Sequence, residues 1–163
     1  VKHEMALEAA VVYDLCHERI VDLGRWDYVS HQVIASPFKP IDYMDKIDVL
    51  AARYLTNTKI TCKYLTVELK KDEAEKSTIN QILKYVDWVC TEYAYGDYEM
   101  IEACIIAAGY EEGMDRYYRE VVQRHYTQGS HPVRNKQWND LKLLKYTCVD
   151  GEIVYEDVTP PLR

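Results

Sequence analysis

The chain has 163 residues, of which 48% are hydrophobic and 29% charged. That is enough for one core of moderate size, and it excludes intrinsic disorder, collagen-like repeats and low-complexity fibres. A single domain over residues 1–163 is expected. No apolar run reaches the roughly 18 residues of a membrane-spanning helix, and the opening VKHEMALEAA carries acids where a secretory signal would be basic and then apolar. The reading is therefore a cytoplasmic protein without a membrane partner. Its first residue is Val1 rather than Met, which raises the expectation of a further domain or a partner protein upstream.

Five cysteines, Cys16, Cys62, Cys90, Cys104 and Cys148, are odd in number and widely spaced, and none sits in a CxxC box. Zinc and a disulfide framework are disfavoured, and a reducing compartment fits better. The net charge of −7 by itself argues against a nucleic-acid partner. Its distribution is uneven: residues 1–115 hold 12 basic against 21 acidic residues, residues 116–145 hold 7 against 2, and the remainder holds 1 against 4. One basic stretch stands out in an acidic chain.

Taken in order, Leu7, Val11, Val12, Leu15, Cys16 and Ile20 recur at helical spacing and predict an amphipathic helix over Glu4 to Ile20, with Gly24 beyond its end. A short extended piece at Gln32 to Ala35 precedes a loop bracketed by Pro37 and Pro40. The runs Ile47 to Leu55 and Ile60 to Leu69 read as a β-hairpin turning at Thr56, Asn57 and Thr58. A charged segment, KKDEAEKST, then leads into a helix from about Ala74 to Tyr93. Ile101 to Ala108 is apolar on both faces, as a central strand should be. A third helix is expected over Glu111 to Tyr126, a polar loop over Thr127 to Asn135, and two closing strands, Leu141 to Tyr146 and Ile153 to Val158, around an Asp150-Gly151 turn. The fold class is α/β (α+β), a mixed central sheet flanked by helices.

Alternation along a strand puts Glu68 and Lys70 on one face and Val67 and Leu69 on the other. A turn centred near Asn57 places Asp48 opposite Thr66 and diagonal to Glu68, on that same face. Diagonal neighbours lie about 7–8 Å apart at the backbone, so two inward carboxylates there could share a hard divalent cation. A lysine beside them would stabilise charge developing on a phosphate or its attacking water. Gln81 and Tyr85 are four apart on the next helix, flanking the stripe of Ile79, Ile82, Leu83 and Val86, and could look into the same place.

Asp48, the Glu68-Leu69-Lys70 triplet on the following strand, and Gln81-Ile82-Leu83-Lys84-Tyr85 on the following helix resemble the PD-(D/E)XK nuclease superfamily. The likeness is to its RecB-like and NucS-like branch, which carries a Q-x-x-x-Y motif, and it runs from Glu4 to about Asp157. It implies a restriction-endonuclease-like core, Mg²⁺ or Mn²⁺ held by Asp48 and Glu68, Lys70 as the catalytic lysine, and Gln81 with Tyr85 supporting the site. It also implies an acid on the first helix. Glu8, which precedes the apolar stripe, is the choice, and Glu4 lies one turn earlier on the same face. The activity implied is hydrolysis of phosphodiester bonds in DNA. The alternative is an inactive module that keeps the nuclease fold to bind nucleic acid or a partner protein, and self-association is left open.

Simpler readings exist for many of these residues. Glu68 and Lys70 alone would pass for a solvated strand edge, and His3, His17, His31, His125 and His131 show no ligand spacing and read as isolated surface residues. Cys90 and Cys104 read as small core residues. Arg116, Arg119, Arg124, Arg134 and Lys136 are the candidate nucleic-acid contacts, with Tyr110, Tyr117, Tyr118 and Tyr126 available to stack on bases or to pack in the core.

Overall fold

A computed structural model describes residues 3–35 and 45–162; the loop expected around Pro37 and Pro40 lies outside the described residues. The first helix, α1, spans Glu4–Cys16 and buries Leu7, Val11 and Leu15. It stops short of the expected Ile20 because Glu18 turns left-handed at φ 57°. Ile20 and Leu23 are buried all the same, carried by the turn onto the face that the helix covers.

Strand β1, Tyr28–Ile34, begins four residues before the extended piece read from the sequence. Strands β2, Lys46–Tyr54, and β3, Thr61–Ala74, form the expected hairpin, closed by Leu55 N–H donating to the Ile60 carbonyl at 2.9 Å. Its register differs from expectation by two residues. Tyr54 pairs with Thr61 but Arg53 pairs with Lys63, so Cys62 is an extra residue in β3, and beyond it Leu50 pairs with Thr66 and Val49 with Val67. Continuing that register sets Asp48 level with Glu68 rather than with Thr66. A shift of two keeps every side chain on its face, so the error is in spacing only.

The charged KKDEA segment is not a lead into a helix. It continues β3, because Glu73 and Ala74 pair with Gly109 and Tyr110 of strand β4, Ile101–Tyr110, and Ala74 is buried. Helix α2 follows over Lys76–Glu92 and helix α3 over Met114–Val121. The expected third helix is thus cut to eight residues at its centre. Strands β5, Arg124–Gln128, and β6, Arg134–Trp138, occupy its former end and both ends of the expected loop as a separate two-stranded ribbon. One side of the ribbon is tied to the body: Arg124 pairs with Asp87 of α2, and the indole N–H of Trp138 donates to the Ile101 carbonyl at 2.7 Å. These long-range ties have no counterpart in local periodicity.

Strands β7, Leu141–Val149, and β8, Glu152–Asp157, close the sheet. Its order is β1-β2-β3-β4-β7-β8, with β3, β4 and β7 parallel and the outer pairs antiparallel. This is the mixed central sheet flanked by helices that the sequence predicts. Period two in β4 splits the core: Ile101, Ala103 and Ile105 pack under α2 and α3, while Cys104 and Ile106 pack under α1 with Val67, Leu69 and Leu144. Both faces of the middle strands are therefore anchored, which fixes where Asp48, Glu68 and Lys70 project.

Candidate active site

Glu68 is the site's most constrained charge. It sits mid-strand in β3, on the side of the sheet covered by α2, and is 1% exposed. Lys70, two residues on and so on the same face, donates from Nζ to Glu68 Oε1 at 2.8 Å. Glu68 Oε2 is buried with no hydrogen-bond partner among the described residues, and the same holds for Thr66 Oγ1, two residues earlier on that face. Burial, reinforced by the nearby Asp48 carboxylate, pushes Glu68 up to about 7 despite the hydrogen bond from Lys70. A native fold keeps an unsatisfied buried carboxylate oxygen at a cost of a few kcal/mol, so a reason for it is to be sought in function.

Asp48 reaches the same place from β2. Its Oδ2 accepts the backbone N–H of Leu69 at 2.8 Å, which aims the carboxylate across the strand pair. Burial raises its pKa, the Leu69 bond and Lys70 oppose that, and Glu4 and Glu8 on α1 raise it further. Lys70 is lowered by its own burial, but the Glu68 hydrogen bond and the charges of Glu68, Asp48 and Glu4 outweigh this and leave it raised. It is a firmly charged ammonium, suited to holding an anion and unsuited to taking a proton.

Glu8 completes the arrangement from α1 through an intermediary. Gln32 Nε2 donates to Glu8 Oε2 at 2.7 Å and lies 3.5 Å from Asp48 Oδ1, and His31 Nδ1 lies 2.7 Å from Glu8 Oε1. Glu4 acts on Asp48 and Glu68 through its field and is exposed. On the other side, Gln81 Nε2 donates to Tyr85 Oη at 3.0 Å. Burial pushes Tyr85 up to about 12, with Glu68, Asp45 and Asp48 adding to the effect, so its hydroxyl keeps its proton and has it to give. Six sequence-predicted residues, Glu8, Asp48, Glu68, Lys70, Gln81 and Tyr85, thus face one region.

Sequence reasoning misses His31 and Gln32, His31 because lone histidines carry no spacing signal and Gln32 because nothing in the extended piece that it opens marks the left-handed backbone that aims its side chain. The bland reading of His31 as an isolated surface residue is corrected by its contact with Glu8. Among the described residues no three His, Cys, Asp or Glu side chains stand at metal-ligand spacing. What fits a hard cation is the chemistry of the donor set: carboxylate oxygens from adjacent strands, one of them buried and unpartnered.

Two of the five basic residues lie on a helix as expected, and the other three are placed differently. Arg116 and Arg119 lie on α3, each bonded to an acid of its own helix, Glu120 at 3.0 Å and Asp115 at 3.3 Å. Arg124 begins β5 instead of ending a helix, and holds Asp87 with two nitrogens at 2.9 and 3.2 Å. Arg134 and Lys136 lie on β6 rather than in a loop, and Lys136 pairs with Glu99. The tyrosines do not share a helix either: Tyr118 is buried with its hydroxyl on the Leu141 carbonyl, and Tyr110 ends β4 with its hydroxyl on the Ile105 and Leu144 carbonyls. Core packing accounts for both. Cys90 and Cys104 are buried free thiols, and burial pushes Cys90 up to about 11.

No protein-family model matches the chain, and no curated protein sequence does. Solved structures do resemble it. One is a repair endonuclease from Pyrococcus abyssi, 19% identical, over 70% of this chain and 43% of that one, at a TM-score of 0.47. Two others are of EndoMS: an EndoMS–dsDNA2 complex at 18% identity, covering 72% and 39%, TM-score 0.41, and an apo form at 14%, covering 74% and 44%, TM-score 0.41. The chain spans about two fifths of the length of these structures. The likeness is weak at such scores, and the reading of the site rests on its own residues. No helix among the described residues is long and apolar enough to cross a membrane.

Proposed function

We propose that the chain is a metal-dependent nuclease domain of the PD-(D/E)XK type, hydrolysing phosphodiester bonds of DNA. The observation that carries this reading is Glu68, a buried carboxylate with one oxygen on Lys70 and the other unpartnered, level with Asp48 on the neighbouring strand. In this reading Asp48 and Glu68 hold Mg²⁺ or Mn²⁺, with Glu8 beside them. The cation supplies Lewis-acid stabilisation of the phosphate and lowers the pKa of the attacking water. Lys70 holds charge on the phosphate and the incoming oxygen. Tyr85, with its proton retained and its oxygen satisfied by Gln81, donates to a non-bridging phosphate oxygen. Arg116, Arg119, Arg124, Arg134 and Lys136 are the proposed backbone contacts.

A specific observation favours a second reading, an inactive module binding nucleic acid or a protein. The net charge is −7, and four of the five proposed contacts are already paired with acids. Incubation with single-stranded, duplex and branched DNA separates the two. Cutting only with Mg²⁺ or Mn²⁺, abolished in Lys70→Ala, supports the nuclease, and no cutting of any substrate supports the module.

A further inference from the structure

Among the described residues five non-glycine positions have left-handed backbone. Glu18, Asn57, Tyr95 and Asp150 lie in turns, where that conformation is ordinary. Gln32, at φ 52°, lies inside β1, where it is strained. The register shows the effect: His31 pairs with Val49 and Val33 with Ile47, and the intervening Gln32 and Asp48 make no ladder pair. In a regular strand adjacent side chains point to opposite faces. Here His31 and Gln32 both reach Glu8, one to each carboxylate oxygen, at 2.7 Å each. The same Gln32 nitrogen lies 3.5 Å from Asp48 Oδ1, while Asp48 Oδ2 is fixed by Leu69.

We propose that Gln32 is a positioning residue of the candidate site, whose amide ties the Asp48 carboxylate to Glu8 and so keeps it turned toward the divalent cation that Asp48 and Glu68 would share. The inference rests on the nuclease reading above. An amide NH₂ has two hydrogens and no charge, so it can serve two carboxylates without competing with a cation as a lysine would. Glu8 on α1 and Asp48 on β2 are like charges on separate elements, each acting on the other, and the Gln32 amide is a neutral donor within reach of both. The left-handed turn is what delivers the amide to that point. Outer groups of this kind typically change metal affinity by about 10- to 100-fold when removed.

The test uses Gln32→Gly, which relieves the left-handed strain, and Gln32→Met, which keeps the side-chain length without donors. Mn²⁺ affinity is measured by calorimetry beside the melting temperature, with Asp48→Asn as the control that loses the cation. Both variants are expected to bind Mn²⁺ at least about 10-fold more weakly than wild type, with Gln32→Gly melting no lower than wild type and DNA KM unchanged while kcat falls. A merely structural Gln32 would lower the melting temperature and leave Mn²⁺ affinity alone. Affinity equal to wild type in either folded variant overturns the role of Gln32 while the nuclease reading stands. No Mn²⁺ binding by wild type overturns both.

Discussion

The charges of the sheet site and those of the basic stretch are treated in opposite ways by the fold. Glu68 is 1% exposed, holds its pKa near 7 and leaves one oxygen unpartnered. Arg116 and Arg119, by contrast, sit on the surface of α3, each neutralised by an acid four residues away. The second arrangement is what ordinary surface stability produces, and such pairs contribute about 0.2–1 kcal/mol. The first works against stability. A protein that keeps electrostatic cost in one place and balances its charges elsewhere marks that place as the one with a task.

The contrast can be broken most sharply at Lys70 and Asp48. Lys70→Ala and Asp48→Asn are each expected to lower the DNA cleavage rate at least about 100-fold, as removing a group that stabilises transition-state charge does, while circular dichroism stays that of wild type. Retained cleavage in both would move the chemistry elsewhere.

Glu68→Gln separates stability from function. An acid whose folded pKa is raised contributes stability that is complete below its ordinary value of 4.5 and is lost as pH rises through about 7. Removing the charge should therefore stabilise the metal-free protein at pH 8 by about 1–3 kcal/mol, visible as a higher melting temperature. The gain should vanish near pH 4 and be accompanied by loss of cleavage. A lower melting temperature at pH 8 would mean that the charge is satisfied.

In the proposed nuclease reading the same group would set the pH dependence of cation binding. Below about 7, binding must release the Glu68 proton, so Mn²⁺ affinity should fall about tenfold per pH unit there and level off above it. A flat profile between pH 5 and 8 in calorimetry would take Glu68 out of the ligand set.

The smallest effects belong to the basic stretch. Arg116→Glu with Arg119→Glu should weaken DNA binding and flatten its salt dependence by about 0.7–0.9 log units for each phosphate no longer neutralised, with little change in melting temperature. Equal affinity and slope would leave these arginines as surface pairs with Asp115 and Glu120.

Much of the site is legible in the sequence because strand alternation and helix spacing are local. Glu68 and Lys70 share a face whatever the rest of the chain does, and Gln81 and Tyr85 are one helical turn apart. Half of the two-residue register error comes from the turn, which pairs Tyr54 with Thr61, and half from Cys62, an extra residue whose insertion depends on how two strands meet. Gln32 and His31 are invisible for a similar reason: the left-handed turn at Gln32 follows no sequence preference for that conformation, and contact with Glu8 requires α1 to be docked first. The β5–β6 ribbon reads as helix and loop because Arg124, Gln128 and Lys136 look solvated in sequence, yet each finds an acid from a distant element. Local pattern names the charges correctly, and tertiary contact decides which are satisfied.

The most direct test is an anomalous difference map from crystals soaked in Mn²⁺. The account predicts a peak within about 2 Å of oxygens from both Asp48 and Glu68, the distance of small divalent cations from carboxylate ligands, with Glu68 Oε2 among them. No peak there at saturating Mn²⁺, with Glu68 still bonded to Lys70, would contradict it.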